Sequence, residues 1–209
     1  VYGCLIFDTF ENKILCQEIN KDREGNDDDL NNEYEENQAE FDYLLKEYAG
    51  DLIPALAMCL NEHLFESYFD RVLQYLLRLL NKPDAQIAEQ SFVIGVIGET
   101  ISNLSSITAA RAQQLFTEFY KYSLSQENEI RSNTIFTVGV LCSKSNGALQ
   151  TVYAQIINDL ISSLANEKHK QTLDNICGTL CHLYAVCTDA KVETIDYEFV
   201  SSLSLFFCC

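Results

Sequence analysis

The sequence predicts an all-α solenoid, a stack of antiparallel helical hairpins, and three observations carry that prediction. Two prolines and eight glycines in 209 residues are too few for the many turns of an all-β chain. Apolar residues recur at three- and four-residue spacings along most of the sequence after Gln38, the period of one helix face. A glycine-centred pattern also returns three times: IGVI at Gly95, VGVL at Gly139 and CGTL at Gly178, with the glycines 44 and 39 residues apart. A period of about 40 to 47 residues with two helices per unit is that of HEAT or armadillo arrays, whereas tetratricopeptide and ankyrin units are nearer 34 and 33. The expected architecture is a HEAT-repeat α-solenoid.

The organising stretch is Glu127 to Asn146, read as one helix with Asn128 as its cap and Glu129 in its first turn, where the helix dipole favours a carboxylate. From Ile130 to Cys142 it is nearly continuously apolar, so neighbours must cover it on several sides. Gly139 lies mid-helix, where glycine costs roughly 1 kcal/mol against alanine; close approach of another helix is the expected reason.

Taken in order, residues 1–17 show no clean period, and residues 18–37 are polar and acidic with almost nothing to bury, which predicts a linker or arm. Residues 1–37 are therefore set apart from a repeat array over 38–188. Phe41, Leu44, Leu45, Tyr48 and Leu52 form a helical stripe that either kinks at Pro54 or stops near Gly50 and restarts; a kinked helix is favoured. Three hairpins follow. Phe65, Phe69, Val72, Leu73, Leu76 and Leu80 mark a first helix, and a second runs from about Ala85 to Leu104. Ala112, Leu115, Phe116 and Phe119 lead into the organising helix. Tyr153, Ile156, Leu160 and Leu164 lead through NEKHK to a helix over about Gln171 to Val186. First helices are amphipathic and second helices more thoroughly apolar, as in a solenoid whose second helices sit between neighbours. Over 189–209, Ile195, Phe199 and Leu203 begin a further first helix without its partner, and with the missing initial Met this predicts a fragment.

Net charge is −17, and residues 18–40 hold ten acidic against two basic residues. Such a balance repels nucleic acid and favours basic partners, although it also serves solubility alone. No apolar run is long enough to span a membrane, and a signal peptide is not expected after VYGCLIF. Nine scattered cysteines, several inside apolar helical pattern, read as free thiols rather than a disulfide framework. Cys177, Cys181, His182 and Cys187 lack the paired knuckles of a zinc site and read as packing. No Gly-rich phosphate loop, nucleophile elbow or H-E-x-x-H motif occurs, so neither an enzyme nor a cofactor is expected.

Four segments, YEENQAEFDYLLKEYAGDLIPALA, IAEQSFVIGVIGETI, NEIRSNTIFTVGVLC and LDNICGTLCHLY, come in the order and roughly the spacing of the karyopherin-β nuclear transport receptors, which residues 34–188 resemble. The resemblance implies a longer superhelix that binds Ran-GTP through N-terminal repeats absent here, contacts nucleoporins, and carries basic cargo such as histones and ribosomal proteins between cytoplasm and nucleus. Ile130-Arg131 keeps the apolar-Arg pair that opens many such second helices, while Ala88 and Leu173 stand near the corresponding places. On this reading Glu89, Gln90, Glu99, Asn133, Asp174 and Asn175 face a concave surface and hold Lys and Arg of a cargo, assisted by Asp27, Asp28, Asp29, Glu35 and Glu36 of the acidic arm. The competing reading has Asn133 and Asn175 satisfying a neighbouring repeat's backbone. A HEAT scaffold subunit without a transport role is the alternative function.

Overall fold

The computed structural model describes residues 48–189, with side chains to Cys187. The chain divides into Val1–Leu52 and Ile53–Cys209, and the architecture below is that of the second unit; the expected boundary at 37/38 and the stripe after 189 lie outside the described residues. Residues 48–59 are helical without a break at Gly50 or Pro54, which removes the stop-and-restart alternative. Six helices follow: α1 (Glu62–Leu80), α2 (Ile87–Ser102), α3 (Ser105–Tyr120), α4 (Asn128–Lys144), α5 (Tyr153–Leu164) and α6 (Lys170–Asp189). No strand occurs among the described residues. The fold is an all-α HEAT-repeat solenoid of three hairpins, α1–α2, α3–α4 and α5–α6.

Local chemistry sets the helix ends. Asn61 caps α1 by accepting from the His63 N–H at 3.0 Å, with Glu62 in the first turn and Arg78 in the last, each on the favourable side of the dipole. The expected cap of α4 is displaced. Glu127 is the capping residue and makes no side-chain cap bond, while Asn128 lies inside the helix and its Oδ1 accepts from Arg131 Nη2 at 2.8 Å. Arg131 therefore takes the amide that would have capped the helix. Between α4 and α5 the chain reverses through Asn146 and Gly147, both at positive φ (49° and 83°), where glycine meets no steric penalty.

The first helices bury one stripe each, Phe65 to Leu80 on α1 and Tyr153, Ile156 and Leu160 on α5. Each fully buried side chain of this size is worth roughly 1.5–3 kcal/mol. Helix α4 packs against α2, α3 and α6, and so is buried nearly all round from Ile130 to Cys142, its polar Ser132, Thr134 and Thr137 included. The buried Tyr153 ring leaves a hydroxyl that must be satisfied; it donates to Cys142 O at 3.1 Å and sits 3.0 Å from Ser145 Oγ.

The second helices are joined by a repeated pair of bonds. Asn133 Nδ2 donates to Ser91 O (3.0 Å) and Ser91 Oγ (3.1 Å), and Thr137 Oγ1 donates to Ile94 O (3.2 Å). One hairpin later Asn175 Nδ2 donates to Ser132 O and Ser132 Oγ, both at 2.9 Å, and Thr179 Oγ1 to Ile135 O at 2.9 Å. These bonds fix the equivalence of the helices: α2 maps to α4 at a spacing of 41 residues and α4 to α6 at 42. The glycine alignment read from the sequence is thereby corrected. Gly139 is equivalent to Gly98 and Cys181, whereas Gly95 is equivalent to Phe136 and Gly178.

Each acceptor carbonyl is reached past the residue four positions later, because an α-helical carbonyl points toward the N–H of that residue. Gly98 and Gly139 occupy that position beside Ile94 and Ile135. A Cβ on Gly98 would meet Thr137 Oγ1 and come within 3.2 Å of Phe136, and one on Gly139 would meet Thr179 Oγ1 and come within 3.2 Å of Thr179 Cα. Close approach is therefore the reason for Gly139. Gly178 has nothing within 4 Å of its missing Cβ. We expect Gly139→Ala to lose about 1–3 kcal/mol by overpacking, and Gly178→Ala to gain up to about 1 kcal/mol from helix propensity. Urea denaturation of the two variants checks the opposite signs.

Candidate partner-binding face

With the helices in register, three sets of positions on the second helices are equivalent. The first is Phe92, Asn133 and Asn175; the second is Gly95, Phe136 and Gly178; the third is Glu99, Val140 and His182. Glu99 is exposed, with no ion pair among the described residues, and His182 is exposed opposite it in sequence order. By register, Glu99 stands two turns along α2 from Phe92, the position equivalent to Asn133 and Asn175. The two asparagines are half-buried donors inside the stack, as the bonds above show, so their amide N–H groups are already committed to Ser91 and Ser132.

The remaining sequence candidates fall elsewhere. Glu89 and Gln90 are half-buried in the first turn of α2, in register with Ile130 and Arg131 of α4. Gln90, rather than Ala88, therefore stands where Arg131 does, and Leu173 is its counterpart on α6. Asp174 is exposed on the face of α6 equivalent to Ser91 and Ser132, which are buried at 6% and 2% exposure. That face is the stacked side of α2 and α4. Asp27, Asp28, Asp29, Glu35 and Glu36 lie outside the described residues.

Five carboxylates of the array are engaged internally. Arg111 of α3 grips Asp70 of α1 with two bonds, Nε to Oδ1 at 2.7 Å and Nη2 to Oδ2 at 2.9 Å, and reaches Glu66 at 3.3 Å; the Asp70 bond, ahead of opposing burial, raises its already high pKa. Glu62 accepts from the Ile107 N–H, satisfying a free donor at the start of α3. Tyr120 donates to Asp159 of α5 at 2.5 Å; burial first and then that bond push its phenol well above the ordinary range. Arg131 Nε meets Glu167 Oε2 at 2.7 Å, with the side chains only 14% and 8% exposed. Glu167 also accepts from the N–H groups of Lys168 and His169 just ahead of α6. The Arg131 bond, with these backbone donors, holds the Glu167 carboxyl down at about 2. None of these ties was singled out from the sequence. Only Asn-x3-Thr, recurring after 42 residues at Asn133 and Asn175, offered a local signal of the stacking bonds.

Among the described residues the cysteines of α4 and α6 differ in exposure. Cys142 and Cys187 are buried, Cys177 is half-buried and Cys181 exposed, all as free thiols. Burial, and then the nearby Cys187, pushes the Cys142 thiol up to about 12, which leaves it inert at neutral pH. Among the described residues no three His, Cys, Asp or Glu side chains come together as metal ligands. No helix among them is long and apolar enough to cross a membrane.

No family model matches the chain. It is nevertheless 34% identical over 156 residues to Importin-4 of Mus musculus and 35% identical over 156 residues to Importin-4 of Homo sapiens. A Schizosaccharomyces pombe protein described as a probable importin subunit beta-4 is 24% identical over 165 residues, 78% of this chain and 15% of that protein. This stretch belongs with the karyopherin-β repeats of importin-4 type. The importin match covers 75% of this chain and 14% of either mammalian relative, so it spans about one seventh of their length.

The Arg131–Glu167 tie makes a pH prediction for this importin-like array. A carboxyl held at about 2 in the folded chain, against 4.5 ordinarily, contributes its full stabilisation above pH 4.5 and loses it as pH falls through 2. Glu167→Gln, which mimics the protonated form, should lower stability at pH 7 by roughly 1.5–3 kcal/mol. The gap between variant and parent should close between pH 4.5 and 2. Thermal melts across that range measure it.

Proposed function

We propose that this chain is a stretch of a nuclear transport receptor that holds Lys/Arg-rich cargo, such as histones or ribosomal proteins, chiefly by electrostatics. In the whole receptor, Ran-GTP acting through other repeats releases the cargo, and nucleoporin contacts carry the complex between cytoplasm and nucleus. The observation that carries this reading is the 34–35% identity with the two importins over three quarters of the chain.

The distribution of charge supports it and refines the mode of binding. Residues 1–47 hold fourteen acidic and four basic residues, whereas residues 48–189 hold fourteen acidic and nine basic. Most of the field therefore originates ahead of the described array, in the stretch containing Asp27, Asp28, Asp29, Glu35 and Glu36. Within the array Glu66, Asp70, Asp159 and Glu167 have internal partners. The reading gives cargo contact to Glu99 with Glu89 and Gln90 near the start of α2, and gives encounter to the acidic arm. Exposed pairs are worth only about 0–1 kcal/mol each, so many must act together, and screening within about 8 Å at physiological salt makes the binding salt-dependent.

The test is stopped-flow and titration calorimetry of a Lys/Arg-rich histone-tail peptide with the 209-residue chain at two salt concentrations. Deleting residues 18–37 should slow association about tenfold or more at low salt. Glu89→Gln with Glu99→Gln should raise the dissociation rate and leave association nearly unchanged. Binding that is absent, or indifferent to salt and to both changes, leaves the scaffold reading standing. For the whole receptor, release of the peptide by Ran-GTP distinguishes carrier from scaffold.

A further inference from the structure

The reversal between α4 and α5 holds the only Asn-Gly pair in the 209 residues. Asn146 and Gly147 are exposed, at positive φ of 49° and 83°. The chain is anchored on either side of them. Ser145 is 1% and Leu149 2% exposed, and Ser145 Oγ lies 3.0 Å from the buried Tyr153 hydroxyl. The Ala148 N–H donates to Ser145 O at 3.0 Å across the pair. The Asn146 carboxamide and the Gly147 N–H have no hydrogen-bond partner among the described residues.

Two other asparagines at helix ends stand in contrast. Asn81 and Asn103 donate their side-chain amides back to Leu77 O at 2.9 Å and Glu99 O at 3.1 Å. The N–H groups that follow them are also bonded, Lys82 to Leu79 O and Leu104 to Ile101 O. At Asn146 the carboxamide is free to turn toward the next main-chain nitrogen, and that nitrogen belongs to a glycine with no Cβ in the way. Nothing lies within 4 Å of the place a Cβ on Gly147 would occupy.

We propose that Asn146-Gly147 is a site of spontaneous deamidation, at which the turn converts to isoaspartate and loosens the joint between the second and third hairpins. Gly147 N bonds to Asn146 Cγ, the Cγ–Nδ2 bond breaks, and the Gly147 proton leaves with that nitrogen as ammonia. The product is a five-membered succinimide. Water adding at the main-chain carbonyl carbon of Asn146 opens the ring to isoaspartate, water adding at Cγ opens it to aspartate, and either acid releases its proton to solvent. Isoaspartate routes the main chain through Cγ, one carbon longer between the buried anchors Ser145 and Leu149. The bond from Ala148 N–H to Ser145 O then loses its register. Both products also place a negative charge just past the C-terminus of α4, the unfavourable end of its dipole. The inference is independent of the cargo reading.

The test incubates the 209-residue chain at neutral pH and body temperature and follows the tryptic peptide from Ser145 to Lys168 by mass. Electron-transfer fragmentation locates isoaspartate, and an isoaspartate methyltransferase with labelled S-adenosylmethionine counts it. Asn146 should convert at least about tenfold faster than Asn103, and at a rate close to that of the free peptide SKSNGALQ. The melting temperature of the chain should fall in step with its isoaspartate content. Asn146→Gln, whose extra methylene demands a six-membered ring, should neither convert nor lose stability on ageing, and freshly made Asn146→Asp, with its main chain unlengthened, should melt above the converted parent. No conversion in the folded chain, conversion no faster than at Asn103, or conversion that leaves the melting temperature unchanged overturns the proposal.

Discussion

The close seating of one second helix on the next is the constraint from which most of this structure follows. A side-chain hydroxyl reaches a carbonyl that is already bonded within its own helix, and it does so only because glycine stands four residues further on. Ile94 with Gly98, and Ile135 with Gly139, are two instances of one device. Once the separation of α2, α4 and α6 is fixed in this way, α4 has neighbours on three sides, and burial of nearly its whole circumference follows.

The two sides of the stack are held by different chemistry. Second helices meet through neutral donors and main-chain acceptors at buried or half-buried positions, where salt has little effect. First helices meet through Arg111 with Asp70 and Glu66 and through Tyr120 with Asp159, and Arg131 of α4 reaches Glu167 in the α5–α6 loop. The four carboxylates that serve these contacts are withdrawn from the surface field, out of fourteen acidic residues in the array.

The all-α class, the three hairpins and the helix-defining stripes were legible because burial of one face imposes a period of 3.6 on the sequence, and Phe65 to Leu80 display it plainly. The repeat register was not. Gly95 and Gly98 both match an apolar-glycine pattern, and choosing the first slid α2 three residues against α4. The Asn-x3-Thr pairs at 133 and 175 resolve that ambiguity, but α2 lacks the pair because Phe92 and Val96 occupy its places, so two copies had to be recognised without a third. The role of Asn133 and Asn175 was open for a related reason: an amide on a half-buried face reads the same whether it serves a partner or a neighbouring helix. The ionic ties join residues 36 to 45 positions apart, and no local pattern announces contacts at that range.

Because the threonine contacts end on main-chain oxygens, the two helices of a junction carry unequal amounts of instruction. The following helix must supply a hydroxyl at one position; the preceding helix need only lack a side chain at another, because the carbonyl it offers at Ile94 or Ile135 is the same whatever residue carries it. A junction of this kind behaves as an asymmetric grammar, in which each unit specifies how it attaches to the one before it. Duplicated units can then diverge extensively on their leading faces, or be exchanged between arrays, and still assemble in order.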